Sequence, residues 1–362
     1  MEIYWYIYIY SIFMWLFVQL LPELSKRFYY GVSVYIPLFL ISAFRSIDVG
    51  GDTPIYVRTF ENIHGINIDD FFINTMECGY ILFNHMVAEI SNDGQMILVA
   101  TSFFVVFGIG IFLYRESDNF FLSTILFIGL GFYITFFTPI RQAMSAVIVL
   151  GAFSLYWNRN ENIARLLMLI STTFHFSSIA FLPFFLLHIN SVKKIILVTA
   201  PFILLGVFIH SYNDFMWLMI GLDDGGKYSH YWLTGKHVAE SSIGIGVIKA
   251  MAMISIAVMV LRNIKIKTQE YNVEKYYSIA ALLITSSIFS IMQYDIDLLS
   301  RIIHSFFICV VLAIPFICKK KSQLICYTIV IITTTMYYKY YLDVQASIYS
   351  TYRLDSVISS WF

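Results

Sequence analysis

Phe44-Arg45-Ser46-Ile47-Asp48-Val49-Gly50-Gly51-Asp52-Thr53-Pro54-Ile55-Tyr56 is where a greasy chain turns abruptly polar. The run before it, Phe28–Phe44, carries no charge at all. An uncharged run of nearly span length followed at once by Arg, Asp, Gly and Pro reads as a helix leaving lipid. Asp52 ahead of Thr53-Pro54 predicts a helix start, with a capping oxygen and a proline just inside. Gly50-Gly51 lets backbone come close to whatever Arg45 and Asp52 bind. The same residues also fit a polar exit loop with a capped interfacial helix, and the choice depends on the rest of the chain.

The rest is of the same kind. Of 362 residues, 59% are hydrophobic, 18% aromatic and only 13% charged, with mean hydropathy +0.74. A soluble domain carries roughly 25% charged residues, so the shortfall predicts an all-α, polytopic integral membrane protein. Formal net charge is zero, which offers no basic surface to nucleic acid. Cys78, Cys309, Cys318 and Cys326 have no metal-ligand spacing and read as packing residues. Met1–Tyr10 has no positive charge before its apolar run and no small-residue cleavage site after it. The first span is therefore expected to stay.

Apolar runs of span length occur at Ile3–Leu21, Phe28–Phe44, Gln95–Tyr114, Phe120–Thr138, Arg141–Trp157, Ile195–Ser211, Ile243–Leu261, Tyr276–Tyr294, Ser300–Cys318 and Gln323–Tyr341. Ile163–Ile189 is too long for one span and too short for two. Pro183 and a polar Ser171-Thr172-Thr173, His175, Ser177-Ser178 centre interrupt it. Lys26-Arg27, Arg115, Arg159 with Arg165, Lys193-Lys194, Arg262-Lys265-Lys267 and Lys319-Lys320-Lys321 fall on one side only if Ile163–Ile189 enters and leaves by the same face. The positive-inside rule makes that side cytoplasmic. The expectation is a single transmembrane domain over 1–362, with ten full spans and one re-entrant hairpin (163–189) turning near His175. The N-terminus then lies outside, and the long outer loops are 45–94 and 212–242. Within the first of these, Gly79–Ile90 predicts an interfacial amphipathic stretch.

Arginines kept on the disfavoured face need a reason. Arg45, Arg141 and Arg301 each stand where a span meets the outer interface. Together they would make a fork-shaped site for a phosphate or diphosphate; separately, each needs only an acidic neighbour, as Asp297 is for Arg301. His175, flanked by Phe174 and Phe176, is either a packing histidine or a group facing a cavity, since a re-entrant turn survives only inside protein or at a wet cleft. Glu77 and Asp52 are further candidate bases. Arg58, Tyr56, Gln142 and His304 are secondary candidates near the same motifs. Asp295-Ile296-Asp297 is a weak metal signal, and no metal or cofactor is assigned. No phosphate-binding G-x-x-x-x-G-K-[ST] and no G-x-S-x-G elbow occurs, so a nucleotide-driven pump and a serine hydrolase of that type lack support.

Arg45…Val49-Gly50-x-Asp52-Thr53…Tyr56, Glu77-x-Gly79-Tyr80, Ile140-Arg141-Gln142, Phe174-His175-x-Ser177 and Arg301 stand in one order along most of the chain. With them the chain resembles the EpsG/Wzy-like family of bacterial polysaccharide polymerases. One departure is Cys78, which stands where that pattern has a proline. The resemblance implies a GT-C-like glycosyltransferase in the bacterial inner membrane. It would transfer an O-antigen or similar glycan from undecaprenyl diphosphate onto the next lipid-linked repeat unit at the extracytoplasmic face, without metal or other cofactor. Arg45, Arg141 and Arg301 would hold the diphosphate, and His175, Asp52 or Glu77 would be the base. The implied partners are undecaprenyl-diphosphate-linked oligosaccharide, membrane lipids and a candidate chain-length regulator. An O-antigen ligase shares the donor and differs in acceptor. A flippase or transporter for lipid-linked oligosaccharide predicts paired halves, and no matching halves are visible.

Overall fold

The computed structural model describes residues 2–65, 76–211, 243–266, 272–292, 303, 305–318 and 323–344. Every regular element among them is helical: α1 Glu2–Val18, α2 Glu23–Ala43, α3 Thr53–Glu61, α4 Cys78–Ala88, α5 Gly94–Glu116, α6 Phe120–Gly129, α7 Phe132–Thr135, α8 Ile140–Trp157, α9 Glu161–Phe174, α10 Pro183–Leu186, α11 Val192–Ser211, α12 Ile243–Ile266, α13 Val273–Met292, α14 Val310–Ile317 and α15 Gln323–Val344, with 3-10 turns at Ile63–Gly65 and Phe176–Phe181. Four stretches among the described residues are long and apolar enough to cross a membrane: α5, α8, Gly246–Ile264 of α12, and α13. α2, α11 and α15 reach 21, 20 and 22 residues. The expected span Phe120–Thr138 is divided, because α6 ends at Gly129 and a separate short α7 follows before Pro139.

The chain forms two compact units. The first holds residues to Leu182 and the segment from Cys318 onward. Within it, α5 packs against α2, α3 and α8, and α8 packs along α9. Hydroxyl groups join helices whose surfaces are otherwise apolar, the usual means of association in lipid. Ser42 and Ser102 meet at 2.7 Å, and the Tyr133 hydroxyl donates to the Leu38 carbonyl at 2.7 Å. α15 is attached in the same way. Tyr8 meets Thr334 at 2.9 Å, Asn119 donates to the Tyr327 hydroxyl at 2.6 Å, and Thr135 meets Tyr341 at 2.8 Å.

The second unit, Pro183–Ile317, is built on α12 against α13, with α11 and α14 alongside. Its core is a ring cluster of Phe184, Phe202, Phe289 and Phe306, with centroids 5.5–6.2 Å apart. Tyr276 stacks on Phe316 at 3.6 Å. His188 Nδ1 and Glu274 Oε1 lie 2.7 Å apart.

Candidate functional site

The site lies at one end of the α8–α9 hairpin, in the first unit. Asn158-Arg159-Asn160 closes that hairpin at the far end, with Arg159 at φ +67°. Residues near the start of α8 therefore stand beside residues near the end of α9. Ser145 shows the register: its hydroxyl donates to the Ser171 carbonyl at 2.9 Å. Arg141, one turn before Ser145, thus arrives at the level of His175. There the helix stops. His175 has extended backbone, φ −158° and ψ 119°, and the following 3-10 turn packs back on α8 and α9. The Phe181 ring meets Phe153, about three turns beyond Arg141 on α8 (centroids 6.2 Å). The chain therefore reverses direction just after His175.

α4 delivers the third member. Its first turn runs against the last turn of α9 so closely that a Cβ on Gly79 would lie 2.2 Å from Thr173 Oγ1 and 2.9 Å from the Thr173 carbonyl oxygen. Only glycine permits that approach, and it sets Glu77, the residue just ahead of the helix, against His175. Glu77 Oε1 accepts from His175 Nδ1 at 3.0 Å and from the Phe176 N–H at 3.3 Å. Glu77 Oε2 accepts from Arg141 Nη1. One carboxylate thus joins the arginine to the histidine.

Glu77 lies outside the long helices, in a half-buried position. Burial alone would raise its pKa. The hydrogen bond from His175 and the charge of Arg141 outweigh that and hold the carboxyl at about 2. A carboxylate that acidic is a poor proton acceptor at neutral pH. With Nδ1–H directed at Glu77, His175 presents Nε2 as the acceptor, and the side chain keeps 26% of its surface exposed. Arg141 is 90% covered, and its Nε has no hydrogen-bond partner. The Arg141 guanidinium carbon stands 5.9 Å from the Tyr56 ring centroid, within hydrogen-bonding reach of the Tyr56 hydroxyl. Tyr80 meets Tyr56 edge to face at 5.7 Å.

Arg45 is placed differently. It is 1% exposed, and its Nη1 donates to the Ser42 carbonyl and, at 3.3 and 3.4 Å, to Ser42 Oγ and Ser102 Oγ. Nη2 donates to the Phe137 carbonyl at 3.3 Å, and the guanidinium lies 4.8 Å over the Phe137 ring. The cavity beside it, lined by Ser42, Thr101, Ser102 and Tyr133 among others, has a volume of about 20 Å³, room for a water rather than a phosphate. Arg45 thus ties α2 and α5 to the segment that leads into Pro139 and Arg141. Its charge and that of Arg141 both act on the Tyr80 phenol.

α3 begins at Thr53 with Pro54 inside, as the sequence predicts, but Asp52 makes no side-chain capping bond. Its backbone is helical (φ −95°, ψ −6°), whereas a capping side chain needs the extended region. The turn is closed instead by the Thr53 hydroxyl, which donates to the Val49 carbonyl at 2.8 Å. Gly50 has φ +98°, and an added Cβ would meet Thr53 Oγ1 at 2.8 Å, so its freedom serves this turn. Asp52 is partly exposed, Arg58 is exposed on α3, and Gln142 is buried beside Arg141. Arg301, His304, Asp295 and Asp297 lie outside the described residues.

Sequence reasoning passed over Ser42, Ser102 and the Phe176 N–H, and gave Thr173 no role beyond the polar centre of its segment. Serines inside apolar runs and a backbone donor leave no pattern that distinguishes them. Among the described residues no group of three or more His, Cys, Asp or Glu could hold a metal.

A family model described as the EpsG family matches residues 28–353. No curated protein and no solved structure matches the chain.

Proposed function

The chain belongs to the EpsG family, and from that premise and the Glu77 bridge we propose that it is a surface-polysaccharide polymerase using a lipid-diphosphate-linked donor. The family and the apolar helices indicate a multi-pass membrane protein of polysaccharide biosynthesis, with a glycosyltransferase-like polymerase activity. In the finer reading the donor is a glycan on undecaprenyl diphosphate, and the acceptor is the next lipid-linked repeat unit. The product is O-antigen or a similar polymer, made on the extracytoplasmic face of the inner membrane. Ten spans, a re-entrant hairpin and an outward N-terminus belong to this proposal.

The chemistry asked of the site is a displacement at a sugar carbon. The acceptor hydroxyl oxygen attacks C1 of the donor sugar. The bond from C1 to the diphosphate oxygen breaks, and its electron pair leaves on the diphosphate. His175 Nε2 takes the hydroxyl proton. Arg141, largely covered, offers its planar guanidinium where the leaving charge grows. Arg45, through its bond to the Phe137 carbonyl, holds the segment before α8 in place. From the family resemblance, Arg301 stays a candidate for the diphosphate and His304 a secondary candidate, both outside the described residues. Tyr56 and Gln142 line the Arg141 end, and Asp52 and Arg58 are proposed to meet the sugar at the rim.

A single observation carries the assignment: one ionised carboxylate holds both a cation suited to a diphosphate and a histidine with its second nitrogen free to accept. The test is elongation of purified lipid-linked repeat units by the full chain in detergent. Wild type should build a ladder of products, and His175→Ala should stop at single units while accumulating to normal abundance. A purified, folded wild-type protein that leaves single units unchanged would refute the polymerase.

A further inference from the structure

Glu77 divides one negative charge between two partners. Oε1 faces His175 Nδ1 and the Phe176 N–H, and Oε2 faces Arg141 Nη1. Arg141 therefore neutralises much of the field that Glu77 would otherwise exert on the imidazole. A diphosphate bound at Arg141 changes that balance whether or not it displaces Oε2, because it claims the same positive charge. With Arg141 engaged by an anion, the carboxylate's negative field falls more fully on His175.

We propose that Glu77 is a positioning residue that couples donor binding to base strength, such that occupation of Arg141 by a lipid diphosphate raises the proton affinity of His175. This rests on the reading that gives Arg141 the diphosphate and His175 the acceptor proton. The neutral imidazole would be a stronger base once a leaving group is in place than with the donor site empty, and a histidine that takes up a proton on binding must release it before it can accept the hydroxyl proton.

Among the described residues, the ionisable surroundings of His175 are few. α4 brings Glu77, Cys78, Tyr80 and, two turns on, His85. α8 brings Arg141 at this end, and Tyr56 of α3 stands behind it. The charged residues of α9, Glu161 and Arg165, pair with each other at its opposite end. Phe176–Phe181 carries no ionisable side chain. Glu77 and Arg141 are thus the charges positioned to govern His175. A change of one charge within about 4–6 Å moves a pKa by roughly 1–3 units.

The experiment uses the full chain in detergent, titrated with geranyl diphosphate near pH 7 in two buffers of different ionisation enthalpy. The buffer dependence of the heat counts protons taken up on binding. Wild type should take up more protons than His175→Gln, since the probe's own protonation is common to both. The excess should vanish in Glu77→Gln and persist in Glu77→Asp. Tight binding with equal proton counts in wild type and His175→Gln would overturn the coupling and leave the diphosphate assignment standing. No binding of the probe to wild type would remove both.

Discussion

Gly79→Ala is the sharpest perturbation the structure offers, because the added methyl carbon meets backbone. It would lie 2.2 Å from Thr173 Oγ1, a rotatable group, but also 2.9 Å from the Thr173 carbonyl oxygen and 3.0 Å from the carbonyl carbon. Ordinary contact begins at 3.4 Å, so α4 must retreat from α9 by about 0.5 Å at the least to relieve the backbone alone, an overpacking strain of about 1–3 kcal/mol. Glu77, two residues earlier, would move with it. Its 3.0 Å hydrogen bond to His175 would stretch toward or past the useful limit, and misplacement near 1 Å can cost about 100-fold in rate. The expected result is elongation reduced by one to two orders of magnitude in a protein that still folds, with a lowered Tm. Thr173→Ala in the same chain would remove the Oγ1 clash but not the backbone one, and should restore only part of the rate. Turnover by Gly79→Ala within twofold of wild type would show that Glu77 need not be held where it is, and would refute the reasoning.

Arg141→Lys should lose most elongation activity and weaken geranyl diphosphate binding, because a point charge cannot present a two-pronged planar fork; binding assays on the purified variant check this. Arg45→Met should act on folding first. Removing its guanidinium leaves the buried Ser42 and Phe137 carbonyls short of a donor, costing about 3 kcal/mol, to be read as a drop in Tm with loss of protein from the membrane. The pH dependence of stability has a definite sign at Glu77. Its folded pKa, about 2, is below the unfolded value of about 4.3. The stabilisation it provides is therefore complete above the unfolded pKa and is lost as pH falls through the folded one. The stability gap between wild type and Glu77→Gln should close as pH falls between about 4 and 2.

Several features were legible from residue order alone. Uncharged runs of span length predict helices in lipid, and α2, α5, α8 and α13 form in the expected stretches, since backbone polar groups there must be paired internally. A polar centre around His175 in an over-long apolar segment predicts a break, and α9 does end at that residue. Glu77-x-Gly79 stood out as a motif, although its purpose, a close approach to Thr173, involves a residue 94 positions away (173 − 79). The division of Phe120–Thr138 into α6 and α7 was not legible, because hydropathy does not register a change of direction inside an apolar run.

What the sequence by itself determined about this protein is its solvent and its stock of chemical groups. A chain so poor in charge has to be helical in a membrane, and arginines and a histidine kept at span ends have to be compensated by something. Tertiary structure alone decided which charge answers which. Arg45 and Arg141 look alike in sequence, each placed at the end of an apolar run. Yet one is enclosed by carbonyl and hydroxyl oxygens of α2, α5 and the segment before α8, while the other meets Glu77 and Tyr56. The difference comes from helices brought together across long stretches of chain, and pairings of that kind depend on distances of a few ångströms that residue order does not encode locally.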